Sequence, residues 1–128
     1  MDPKTRISAY FEACSGGSAP DIAAHFTDDA IIYDTNVAPF RGAQAIGEAW
    51  VKIRNDWQGA RWTVDSVVVE GAAAAIEWSM TGTDPRSGRS FVFRGSEHYR
   101  FDNGRIAEIR QYWTFDATRL DTGLRGYP

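Results

Sequence analysis

The sequence predicts an α+β domain, with helices first and a long antiparallel meander after them. Three observations carry that prediction. Apolar residues recur at helical spacing in three stretches before residue 58, and from residue 60 onward the pattern is strand-like, broken at Gly71, Asp84-Pro85-Arg86-Ser87-Gly88 and Asp102-Asn103-Gly104. The chain of 128 residues is 43% hydrophobic and 24% charged, which suits one folded domain spanning 1–128.

The elements follow in order. Asp2-Pro3 reads as an N-cap with proline at the first helical position, and Ile7, Tyr10, Phe11 and Cys14 then form one face until Gly16-Gly17 stops the helix. Ser18-Ala19-Pro20-Asp21 opens a second, short helix carrying Ile22, Ala23 and Phe26. After Asp28-Asp29 a strand is expected over 30–35, ending in a Pro39-Phe40-Arg41-Gly42 turn. A third helix over about 43–57 carries Ile46, Ala49, Trp50, Ile53 and Trp57 on one stripe. Strands are expected over 60–70, 72–83, 89–101 and 105–115, and a polar tail over 116–128 is read as closing over an edge or another subunit.

Composition removes several classes of function. No apolar stretch approaches the roughly 18 residues of a membrane span, and Met1-Asp2-Pro3-Lys4 lacks the apolar run of a signal peptide, so a soluble cytoplasmic protein is expected. A net charge of −3, with the arginines scattered singly, gives no pull toward nucleic acid. One cysteine and two histidines are too few for the usual metal-ligand clusters, and neither metal nor organic cofactor is expected. The aromatic content of 13%, with five tryptophans, demands a core, an interface or a pocket lined with rings.

Alternation along the strands singles out the polar residues that fall on apolar faces. Glu97 shares a face with Phe91, Phe93, Gly95, Tyr99 and Phe101, while His98 falls on the opposite one with Val92, Arg94, Ser96 and Arg100. Asp34 shares a face with Ala30 and Ile32, and Gln111 with Ile109 and Trp113. A carboxyl among rings resists ionisation, and two inward carboxyls in different surroundings are what acid/base chemistry uses. The competing reading is that an arginine such as Arg41 or Arg54 satisfies each of them, or that each lies at a strand end in water.

Two helices, then Phe26-Thr27-Asp28-Asp29-Ala30 leading to Asp34, Phe40-Arg41-Gly42 opening a third helix, and a meander closing with Tyr99-Arg100-Phe101-Asp102-Asn103-Gly104-Arg105-Ile106 and Gln111-Tyr112-Trp113 resemble the SnoaL-like and ketosteroid-isomerase-like branch of the nuclear transport factor two-like superfamily. The resemblance covers roughly residues 3–115. It implies a cone of three helices wrapped on a curved antiparallel sheet, an internal apolar pocket, and a homodimer formed through the sheet.

Carried over by position, the resemblance makes Asp34 the general base and Tyr10 with a protonated Glu97 the donors to an enolate oxygen. Trp113 matches the family's aromatic wall and Trp50 its third-helix position; with Phe91, Phe93, Tyr99 and Gln111, which alternation along the strands turns inward, they are the expected substrate-binding residues. The chain departs from the steroid-isomerase pattern in two places: Glu97 is a methylene longer than the family's residue, and Trp50 stands where a bracing tyrosine is usual. It also lacks the Arg-x-Asp of the epoxide hydrolases, having Arg94-Gly95-Ser96-Glu97. His98 is the second-choice catalytic residue, on the cyclase pattern, and would need a β-bulge near Gly95 to face inward. The function implied is an isomerase, cyclase or dehydratase acting on an apolar, cyclic small molecule, and the alternative is a ligand-binding or dimerisation domain without chemistry.

Overall fold

The computed structural model describes residues 1–113. The end of the last expected strand and the expected tail therefore lie outside the described residues.

Helix α1 spans Pro3–Gly16, with the Asp2 side chain accepting from the Thr5 backbone N–H at 2.9 Å. Its buried face is Ile7, Tyr10, Phe11 and Cys14, the stripe that the spacing predicts. Helix α2, Ala19–Ala23, is closed at its start by a reciprocal capping box between Ser18 and Asp21. It stops one turn early, because Phe26 opens strand β1, Phe26–Asp34, and pairs with Ile106. The Phe40-Arg41 turn is a two-residue strand, β2, paired antiparallel with Ile31 and Ile32 of β1. Helix α3 spans Ala43–Asn55, so Trp57 sits just past its end.

Four long strands follow among the described residues: β3 (Gln58–Glu70), β4 (Ala73–Thr83), β5 (Ser90–Asp102) and β6 (Arg105–Trp113). Asn103 and Gly104 both take positive φ, 50° and 76°, which suits the tight β5–β6 hairpin turn. The sheet is open, in the order β2-β1-β6-β5-β4-β3. It is antiparallel throughout except that β1 runs parallel to β6. That crossover carries the chain from one side of the sheet to the other through α3 and the meander.

The helices cover one face, and the inward residues of every strand meet them there. Ile7, Phe26, Ile32, Ile46, Ile106 and Ile109 are at most 1% exposed. Burying each such side chain stabilises the fold by roughly 1.5–3 kcal/mol, so this layer is what fastens helices to sheet. Polar clamps add direction. The Arg54 guanidinium donates to the Cys14 carbonyl at 3.0 Å at the C-terminal end of α1, where a cation also suits the helix dipole. The Trp62 backbone N–H donates to Ser15 Oγ at 3.0 Å, tying β3 to the same helix. Arg6 reaches the Gly104 carbonyl (2.8 Å) and His25 Nδ1 (3.2 Å), and burial followed by the Arg6 charge holds His25 below its ordinary pKa.

Candidate active site

The cone encloses a cleft of about 430 Å³ whose walls include Asp34, Trp50, Trp62, Trp78, Phe93 and Trp113. Gln111 lies at its floor, and behind it a narrow inner pocket of about 10 Å³ is bounded by Tyr10, Cys14, Trp78 and Glu97. Space of that size holds a single oxygen-sized group. Trp50, Trp62, Trp78 and Gln111 border both spaces, so the cleft leads into the pocket.

Sheet register sets the polar residues in a row. Asp34 pairs with Gln111 across β1–β6, and Gln111 pairs with Glu97 across β6–β5. The two carboxyl residues are therefore two strand spacings apart, about 10 Å between backbones. All three face inward because each keeps the alternation of its strand without interruption at that point.

Glu97 is 2% exposed. The Tyr99 hydroxyl donates to its Oε1 at 3.1 Å, and the Gln111 amide, oriented so that both its ends are satisfied, donates to Oε2 at 3.1 Å. The amide oxygen of Gln111 in turn accepts from Trp113 Nε1 at 3.1 Å, and that indole N–H also reaches Asp34 Oδ2 at 3.0 Å. A continuous chain of hydrogen bonds thus runs from Tyr99 to Asp34. Burial pushes the Glu97 carboxyl up to about 8, the Tyr99 hydrogen bond opposes the rise, and the Asp34 charge adds to it. At neutral pH Glu97 is consequently a neutral acid.

Asp34 sits at the rim of the cleft, half-buried at the end of β1. Its Oδ1 accepts from the Asn36 backbone N–H (2.7 Å) and side-chain amide (3.2 Å), an Asx turn that fixes the carboxylate. The expectation that Arg41 or Arg54 satisfies the inward carboxyls does not describe these contacts. Arg54 caps α1, and the carboxyls take Asn36, Trp113, Tyr99 and Gln111.

Tyr10 is 1% exposed, and its hydroxyl has no hydrogen-bond partner of good geometry among the described residues, the Cys14 thiol one turn on being a weak neighbour. Burial raises the Tyr10 phenol and the Cys14 thiol well above their ordinary values, so both stay protonated. Trp50 stands beside Tyr10 with ring centroids 6.5 Å apart, edge to face, and packs on Trp62 at 5.3 Å.

Not every residue expected at the site lines it. Phe91 lies under Trp57, at 4.7 Å between centroids, and stays out of the cleft walls. Tyr99 stands behind Glu97 and touches the site only through its hydrogen bond. His98 points to the outer face, edge to face with Tyr112 at 5.7 Å, because the register runs through Gly95 without a bulge. Asn36, Cys14, Trp62 and Trp78 are among the residues that border the site without having been singled out for it from the sequence. Trp62 and Trp78 belong to the alternating rows Ala60-Trp62-Val64 and Ala74-Ile76-Trp78-Met80, a pattern readable in the sequence. Gly95 is required opposite Trp78, because a Cβ there would overlap the indole.

Among the described residues no three His, Cys, Asp or Glu side chains gather as metal ligands would, and no helix is long and apolar enough to cross a membrane.

A protein with a ketosteroid-isomerase-like fold from Catenulispora acidiphila, solved in complex with trimethylamine, is similar over 96% of this chain and 95% of its own, with a TM-score of 0.83 at 16% identity. A protein of cystatin-like fold from Methylobium petroleophilum is 28% identical, with a TM-score of 0.75 over 96% of this chain and 87% of its own. A protein designated a SnoaL-like polyketide cyclase from Jannaschia reaches a TM-score of 0.73 at 14% identity, over 85% of this chain and 83% of its own. No curated protein matches the chain in sequence. The model of the SnoaL-like domain matches residues 7–109, and the chain belongs to that family.

Proposed function

We propose that the protein is an acid/base enzyme that moves a proton next to the carbonyl group of an apolar, cyclic small molecule, in a reaction of the isomerase, cyclase or dehydratase type. The observation that carries this reading is the cross-strand row of Asp34, Gln111 and Glu97, with a carboxylate held by N–H donors at the rim and a neutral carboxyl at the closed end of one ring-walled cleft. In the reaction, Asp34 takes a proton from the carbon beside the carbonyl, and the C–H electron pair becomes the C=C bond of an enolate. Glu97 and Tyr10 donate to the oxygen on which the charge develops. Returning the proton at another carbon isomerises the substrate, and losing a β-hydroxyl with that proton as water dehydrates it.

The spacing suits the chemistry. A carbonyl oxygen and its neighbouring carbon, with contacts of roughly 3 Å at each end, bridge the gap that two strand spacings leave between inward-reaching carboxyls. The cleft is also larger than the roughly 300 Å³ below which a pocket seldom takes a ligand, which argues against a cone filled by its own side chains. The Catenulispora protein was solved in complex with trimethylamine, which supports small-molecule binding by this fold.

Deuterium uptake tests the proposal. With 1-tetralone in D₂O, mass spectrometry should show saturable exchange of the hydrogens beside the carbonyl, accelerated about 100-fold or more over buffer. Absence of acceleration with 1-tetralone and other cyclic ketones that bind would leave a ligand-binding domain without chemistry. The reading includes a homodimer through the outer sheet face, where Tyr33 and Tyr112 are 39% and 51% exposed beside His98. Sedimentation should give twice the chain mass, and a protomer mass at micromolar concentration would remove the dimer.

A further inference from the structure

The proton transfer leaves the character of the cleft walls unused. All five tryptophans of the chain, Trp50, Trp57, Trp62, Trp78 and Trp113, line this one cleft together with Phe93. An apolar ligand needs only buried area, which isoleucine or valine supplies as well, whereas an indole adds an electron-rich face. Neighbouring rings do not cover one another's faces. Trp50 stands at 81° to Trp62 with centroids 5.3 Å apart, and Trp113 stands at 65° to Trp78 (5.8 Å) and at 60° to Phe93 (5.6 Å). In such edge-to-face contacts one ring offers only its rim, so both of its faces stay clear of that neighbour.

The charge beside the rings has no partner of opposite sign in the chain. Asp34 lies on the same wall, and among the described residues its carboxylate accepts only from neutral donors: the Asn36 backbone N–H, the Asn36 amide, and Trp113 Nε1 at 3.0 Å. An indole N–H lies in the plane of its ring. The carboxylate therefore sits at the edge of Trp113, a few ångströms from a cation placed over the ring face. Lys52, which also lines the wall, faces Asp56 at 3.7 Å, and both extend into water, so its field at the rings is screened.

We propose that the cleft is a binding site for a bulky organic cation, a quaternary or tertiary ammonium group held against the indole faces with Asp34 as its counter-ion. A cation within about 6 Å of an indole centroid is attracted by the ring quadrupole, and the attraction grows where water is excluded. A bulky ammonium spreads its charge over alkyl groups and loses little hydration on entry. A bare metal ion asks for several oxygen ligands, which these walls do not offer. The cleft of about 430 Å³ has room for such a group on an aromatic ring. This ligand needs neither a carbonyl group nor a proton transfer.

Calorimetric titration of 3-hydroxyphenyltrimethylammonium and its neutral isostere 3-tert-butylphenol into the full chain, at pH 6 and 0.15 M salt, reads the preference directly. The two share one shape, and hydrophobic burial alone favours the neutral one. The wild type should bind the cation at least about fivefold more tightly. Asp34→Asn removes the counter-charge and keeps the rings. It should weaken the cation about three- to tenfold and leave the isostere within about twofold. Trp57→Leu exchanges one ring of the wall for an aliphatic side chain and should lower the ratio of the two affinities about threefold. Thermal melts identify a variant that fails to fold, and the other then carries the test. Equal affinities in the wild type, a preference for the isostere, no binding of the cation at millimolar concentration, or a ratio unchanged in a folded variant overturns the proposal. Binding is read without turnover, so this site and the proton transfer fail separately. Lost exchange with an intact cation preference removes the acid/base reading alone, and exchange without that preference removes the cation site alone.

Discussion

Replacing Asp34 with asparagine is expected to slow α-hydrogen exchange of a bound ketone by a factor of about 10² to 10⁴ while leaving its affinity within a few-fold. The amide has nearly the shape of the carboxylate but cannot take the proton, whereas affinity is set at the other end of the cleft by Glu97 and Tyr10. The substitution also has a structural cost. Asp34 accepts on both oxygens, from Asn36 on one and Trp113 on the other, so one of these donors must face the new NH₂. That mismatch costs about 1–3 kcal/mol and should appear as a lower melting temperature. Exchange assays run well below the melt separate the two effects, and a folded Asp34→Asn protein exchanging at the wild-type rate would take the base role from this residue.

The second large effect concerns Glu97 and pH. Its carboxyl is raised to about 8 in the folded protein from an ordinary 4.5, chiefly by burial, so the folded state binds this proton more tightly than the unfolded chain. Its contribution to stability is therefore fully present below about 4.5 and is lost as pH rises toward 8, at about 1.4 kcal/mol per pH unit, after which it is flat. Ketone affinity follows the same proton and should fall above about pH 8. Glu97→Gln keeps a donor for the ligand and has nothing to titrate. Its melting temperature should decline less steeply between pH 5 and pH 8 than the wild type's, and its ketone affinity should be nearly independent of pH in that range and above. Parallel pH profiles for the two proteins, in melting and in binding, would show that Glu97 ionises without consequence and does not serve as the pocket acid.

Much of this architecture can be read from residue spacing. The caps at Asp2 and Ser18, the α1 stripe and the Asn103-Gly104 hairpin follow from local rules, and so they fall where the sequence puts them. The inward placement of Glu97, Asp34 and Gln111 follows from alternation alone, because a strand whose face is buried has little freedom in register. What local rules miss is non-local pairing. Phe26 reads as the last apolar residue of a helix, and only its pairing with Ile106 makes it a strand residue. Phe40 and Arg41 read as a turn until the β1 edge gives them partners. Phe91 shows the same limit in the site. Alternation gives its face correctly, but only the packing of Trp57 decides that the ring is covered. Trp78 and Trp62 lie on rows as regular as that of Glu97, and their apolar character hid them among core residues. The hydrogen-bond chain through Gln111 is a matter of amide orientation, which no spacing encodes.

The parallel pairing of β1 with β6 has a kinetic side. β3 to β6 are joined by short connections and pair as a meander, whereas β1 must wait for a partner that lies at the far end of the chain. Pairings of such wide sequence separation carry a heavy loop-closure cost and tend to form late. Asp34 sits on the late strand, and Glu97 and Gln111 on the meander. A refolding chain can thus complete its pocket acid and most of its aromatic walls while still lacking its base, so recovered proton exchange reports the closing of β1 on β6 rather than the collapse of the core.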